Sequence, residues 1–131
     1  MRVSVDTNAL VRAVVRDDPD QADTSAKVLT EAELIAIALP CLCEFVWVLL
    51  KVYGFQPSDA ATAIRALLNT DKVAVNRPAV ETGLAMLDAG GDFADGVITY
   101  EGQWLGGETF VSFDKKAISR LMAQGHAARL L

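Results

Sequence analysis

Five acidic side chains stand where carboxylates do chemistry. Asp6 ends the run Arg2, Val3, Ser4, Val5 and is followed by Thr7 and Asn8. Val3 and Val5 favour a strand, while Asp, Thr and Asn end strands and cap helices. Asp6 is therefore expected at the carboxyl end of a strand, facing a helix N-terminus, where open α/β sheets bind ligands. Asp114 repeats the pattern after Thr109, Phe110, Val111, Ser112 and Phe113. Asp92 and Asp95 follow the Gly90–Gly91 break, and their i, i+3 spacing sets them near one another on a helix start. Glu44 differs from the rest. It interrupts an apolar run of Leu42, Phe45, Val46, Trp47, Val48, Leu49 and Leu50. A helix that is apolar on almost every side is expected to be buried, and an ionised Glu there is costly unless paired or bound to a metal.

Such a set suits a hard divalent cation, magnesium or manganese, which takes oxygen ligands. Converging carboxylates repel each other, and a cation removes that penalty. It also activates water and neutralises charge growing on a phosphate, so that no protein nucleophile is required. Plainer roles compete at each position. Asp6, Asp92 and Asp114 are good N-caps, and an acid at Asp95 suits the helix dipole. A buried Arg partner would explain Glu44. His126 after Gly125 is read as a surface or loop residue, Lys115 and Lys116 as a solvated helix start, and Trp47 and Trp104 as core or interface residues in preference to base-stacking platforms.

The elements that must position these residues alternate. Strands are expected at 2–5, 34–38, 73–75 and 109–113, with a short edge strand at 127–131. Helices are expected at 9–15, from 19 or 20 to 31, at 41–53, 57–68, 79–88, from 92 or 93 to 104, and at 115–123. Pro19, Pro40, Pro57 and Pro78 each mark a helix start, and Gly54 a helix end. Strand–helix alternation predicts a parallel sheet with helices on both faces. The 131 residues suit one domain spanning 1–131 with one core.

Composition narrows the class. The chain is 52% hydrophobic and 22% charged, which fits a globular protein. No apolar run is long enough to span a bilayer. Asp6 interrupts any apolar h-region, so no signal peptide is expected. Cys41 and Cys43 are too close for an ordinary structural disulfide, and no cluster completes a zinc site. Two small buried thiols in a reduced, cytoplasmic setting are expected. The net charge of −5 argues against a non-specific nucleic-acid binder but not against a nuclease, because the carboxylate cluster supplies much of the excess.

In order and surroundings these residues resemble the PIN domain family, and within it the VapC-type toxins of bacterial toxin–antitoxin pairs. The resemblance is carried by Val5, Asp6, Thr7 and Asn8, by Glu44 in the helix after the second strand, by Asp92, Phe93, Ala94 and Asp95 after a glycine break, and by Ser112, Phe113 and Asp114. It runs over essentially the whole chain. It implies a three-layer α/β/α sandwich with a central parallel sheet and a Mg2+- or Mn2+-dependent endoribonuclease. Asp6, Glu44, Asp95 and Asp114 would be the acidic quartet, with Asp6, Asp95 and Asp114 as metal ligands. Asp92 would be an auxiliary acid or take over from Asp95, and Asn8 and Ser112 would steady the site by hydrogen bonds. An RNA substrate, a cognate antitoxin and a homodimer are further implications. Gly96 departs from the family, which more often has Ala or Cys there. Glycine weakens a helix by roughly 1 kcal/mol, so local loosening is expected.

Two other classes fit part of the pattern. Phosphoacceptor receiver domains also gather acids at strand ends with a Lys, and Lys115 suits that role. Asp6 has no adjacent acid, however, and Glu44 has no place in that scheme. A silent binding module would use the acids to hold a basic segment. For the nuclease, single-stranded or looped RNA is the expected substrate, since bases and phosphates must enter a narrow cleft.

Overall fold

The computed structural model describes all 131 residues. The chain is α/β, with seven helices and five short strands, and every strand pairing is parallel. It divides into two compact units, Met1–Asn76 and Arg77–Leu131. No helix is long and apolar enough to cross a membrane.

The first unit runs β1 (Arg2–Ser4), α1 (Thr7–Val15), α2 (Pro19–Glu31), β2 (Leu34–Ala36), α3 (Leu39–Lys51), α4 (Pro57–Leu68) and β3 (Val73–Ala74). Its three strands lie in the order β1-β2-β3, with Val3 opposite Ile35 and Ile35 opposite Val73. Backbone bonds continue beyond the strand ends: Val5 N donates to Ala36 O at 3.3 Å and Ile37 N to Ala74 O at 3.0 Å. Ile35 and Ile37 are buried on this sheet, and Leu10, Leu42, Phe45, Leu49 and Ile64 fill the space beneath the helices. Burying such side chains stabilises by about 1.5–3 kcal/mol each before chain entropy is counted.

The second unit runs α5 (Arg77–Asp88), α6 (Phe93–Trp104), β4 (Phe110–Ser112), α7 (Lys115–Ala123) and β5 (Ala128–Leu130). Strands β4 and β5 form a separate two-stranded sheet with Phe110 opposite Ala128. Helices α5 and α6 meet along a glycine seam. A Cβ built on Gly96 would lie 2.5 Å from the Thr82 carbonyl oxygen and 2.7 Å from Gly83 Cα. One on Gly83 would lie 2.8 Å from the Phe93 ring. Gly96 thus answers a packing need: two backbones approach more closely than a side chain permits. The loosening expected from its low helix propensity is opposed by that contact.

Several expectations change at this level. Strands are shorter than their apolar runs, and α1 begins at Thr7, two residues early, because Asp6 caps it. Helix α3 spans Leu39–Lys51 and is not buried all round: Pro40, Glu44, Trp47 and Lys51 lie on its exposed side. Trp47 is 59% and Trp104 75% exposed, so neither is a core residue. Of the two free thiols, Cys41 is buried and Cys43 only partly so. His126 lies in the loop between α7 and β5, as expected.

Candidate functional site

In the first unit the carboxyl end of β1 and the start of α1 present Asp6. Its backbone is extended, at φ −91° and ψ 174°, and its Oδ1 accepts from Ala9 N at 2.9 Å. That bond satisfies one of the amides left open at a helix start. The next residue, Thr7, donates its hydroxyl to Glu44 Oε2 at 2.6 Å. This short, charge-assisted bond ties the start of α1 to the exposed side of α3. Glu44 is therefore a solvent-facing carboxylate held by a hydroxyl. The burial expected for it fails because the apolar run wraps most of α3 but leaves one stripe open. One helical turn before Glu44, Cys41 is buried. Burial pushes its thiol up from the ordinary value, Asp6 and Glu44 add to the rise, and the Thr7 hydroxyl opposes it. Asp6 and Glu44 thus both bear on one sulfur.

In the second unit Asp92 caps α6, its Oδ1 accepting from Ala94 N at 2.9 Å. Asp95, in the first turn, is half-buried. Its carboxyl is raised above the usual range, first by burial and then by the charges of Asp92 and Asp114. Asp114 caps α7: its Oδ1 accepts from Lys116 N at 2.9 Å and Ala117 N at 3.1 Å. Ser112 Oγ accepts from Asp114 N at 3.0 Å, which fixes the turn that delivers the acid. Two separate elements of this unit therefore bring Asp92 and Asp114 within electrostatic reach of Asp95.

Asn8 is exposed, on the rim of a shallow groove of about 290 Å³ beside Arg12, Gln21 and Thr24. Two residues to which the sequence assigned no role in the site also matter. Thr7 orients Glu44, and its only signal was adjacency to Asp6. Gly83 completes the seam between α5 and α6, and nothing in its local sequence marked it.

Capping and ligation compete less than the sequence suggested. Asp6, Asp92 and Asp114 each engage only Oδ1, and Glu44 engages only Oε2. The second oxygen of each carboxylate is left for another partner. None of the five acids takes part in an ion pair; ion pairs form elsewhere, as between Met1 and Glu33, Arg12 and Asp17, and Arg16 and Asp23. In neither unit do three His, Cys, Asp or Glu side chains already stand in a metal-binding arrangement. The donor chemistry nonetheless fits a hard cation: unneutralised carboxylate oxygens, with one acid already disfavoured in its charged form. Compared with known proteins, the chain matches no family model and no curated sequence. The resemblance to the PIN family rests on the motifs themselves.

Proposed function

We propose that the chain is a Mg2+- or Mn2+-dependent endoribonuclease of the PIN type, acting on single-stranded or looped RNA as the toxin of a toxin–antitoxin pair. One observation carries the reading. Five carboxylates sit at strand ends, at helix starts and on one open helix face, without a basic partner, and the three caps and Glu44 each keep an oxygen free. A purely structural cap needs no charge, because Asn and Ser cap about as well as Asp.

In this proposal the PIN resemblance assigns Asp6, Asp95 and Asp114 as the residues that would hold the cation, with Asp92 as auxiliary acid, and Ser112 keeps Asp114 in place. A bound divalent ion supplies positive charge against the phosphate. Glu44, oriented by Thr7 through Oε2, offers Oε1 to take a proton from the attacking water. The α/β/α sandwich, the cytoplasmic setting, the homodimer and a cognate antitoxin belong to the same proposal. The test is cleavage of unstructured RNA with magnesium or manganese. Asp6→Asn and Asp95→Asn are expected to abolish it while the far-ultraviolet circular dichroism is unchanged. Full activity in both variants would overturn the assignment. A stable phospho-Asp after treatment with a small phosphodonor would point instead to a receiver-like regulator.

A further inference from the structure

The exposed stripe of α3 reads Pro40, Glu44, Trp47, Lys51. At about 1.5 Å rise and 100° per residue, Glu44, Trp47 and Lys51 fall within a narrow wedge, spaced by roughly 4.5 Å and 6 Å along the axis. The rest of the helix supplies core: Leu42, Phe45, Val46 and Leu49 are buried. A tryptophan left 59% exposed on such a helix leaves a large apolar ring in water. It lies one turn from the carboxylate that Thr7 orients, and one turn from a lysine that forms no ion pair. The same pairing of a bare aromatic ring with a candidate acid recurs in the second unit, where Phe113, 80% exposed, directly precedes Asp114.

Resting on the ribonuclease reading, we infer that Trp47 is a substrate-positioning residue: its indole stacks on an unpaired base of the RNA while Lys51 faces the backbone phosphate beyond it. Single-stranded nucleic acid is held by this combination of an aromatic face for the base and a cation for the backbone. Duplex RNA offers no exposed base face. The stripe therefore selects unpaired RNA without reading its sequence, since every base has a π-face.

The experiment uses the full chain carrying Trp104→Phe, so that Trp47 is the sole indole. With divalent ions chelated, titration with a short single-stranded RNA is expected to quench the fluorescence, and duplex RNA of the same composition to quench it little. With magnesium or manganese present, Trp47→Ala should raise KM roughly 5- to 150-fold, the value of one stacked base. The kcat should stay within about twofold, and Trp47→Phe should recover most of the loss. An unchanged KM in Trp47→Ala, or RNA binding without quenching, overturns the platform and leaves the nuclease standing. Quenching by RNA that is never cleaved removes the nuclease and leaves the platform. If Trp47→Ala instead breaks self-association and spares RNA binding, the stripe is a protein interface and the inference is wrong.

Discussion

Replacing Gly96 by Ala tests the packing of α5 against α6, because two opposing effects differ in sign. In a helix interior Ala is favoured over Gly by about 1 kcal/mol. At Gly96 the new methyl would stand 2.5 Å from the Thr82 oxygen, 2.7 Å from Gly83 Cα and 2.8 Å from Thr82 C, all backbone atoms that no rotamer change can move. Forcing a methyl into a filled site costs typically 1–3 kcal/mol and sometimes more. With contacts this short the upper end applies, which leaves a net loss of about 2 kcal/mol. The same helix carries its own control. A Cβ on Gly102 meets nothing within 4 Å, so Gly102→Ala should gain about 0.5–1 kcal/mol. The assay is equilibrium urea unfolding followed by circular dichroism. With a slope of roughly 2 kcal/mol per molar, Gly96→Ala should lower the midpoint by about 1 M, while Gly102→Ala should raise it by a few tenths. If both variants are stabilised alike, the α5–α6 seam is not as tight as described and the reasoning fails.

Other perturbations follow from the same geometry. Asp6→Asn should leave stability within about 0.5 kcal/mol while removing RNA cleavage, whereas Asp6→Ala should also cost about 1 kcal/mol of stability through loss of the cap to Ala9 N, read by urea midpoint. Asp95 is raised in the folded state, so the native protein holds that proton more tightly than the unfolded chain; its penalty is absent below the ordinary Asp value and grows as pH rises to the raised one. Asp95→Asn in chelator should therefore match the parent near pH 3 and become the more stable as pH rises through that window; an equal gain at all pH values would contradict this. Asp17 is lowered, first by the Tyr53 hydroxyl and then by Arg12, against an opposing burial effect, so its stabilisation is present above the ordinary Asp value and lost as pH falls through the lowered one. Tyr53→Phe should flatten that acid limb, since Tyr53 OH donates to Asp17 Oδ2 at 2.9 Å. Thr7→Val should reduce kcat with little change in KM if Glu44 needs its hydroxyl partner, a split that steady-state cleavage kinetics resolves.

Much of the architecture could be read from local signals. All four prolines fall in the first turn of a helix, because proline's missing amide costs nothing there. Asp6, Asp92 and Asp114 cap the helices that their spacing implied, since short acidic side chains reach the free amides behind them. The parallel pairing of β1, β2 and β3 followed from strand–helix alternation. What could not be read depends on partners distant in sequence. The exposure of Glu44 and Trp47 depends on which side of α3 its neighbours cover, and an almost uniformly apolar helix gives periodicity no contrast to work with. The Thr7–Glu44 bond joins residues 37 apart. The role of Gly96 depends on where Thr82 and Gly83 arrive, which no local pattern encodes.

The single-oxygen caps have an evolutionary corollary. Where one carboxylate both starts a helix and serves the chemistry, purging of misfolded variants guards the side chain's shape but is blind to its charge. A change from Asp to Asn at Asp6 or Asp114 passes that filter. On the proposed nuclease reading, inert yet well-folded copies thus lie one substitution away, and among descendants of such a chain silent paralogues should bear asparagine at these sites more often than alanine.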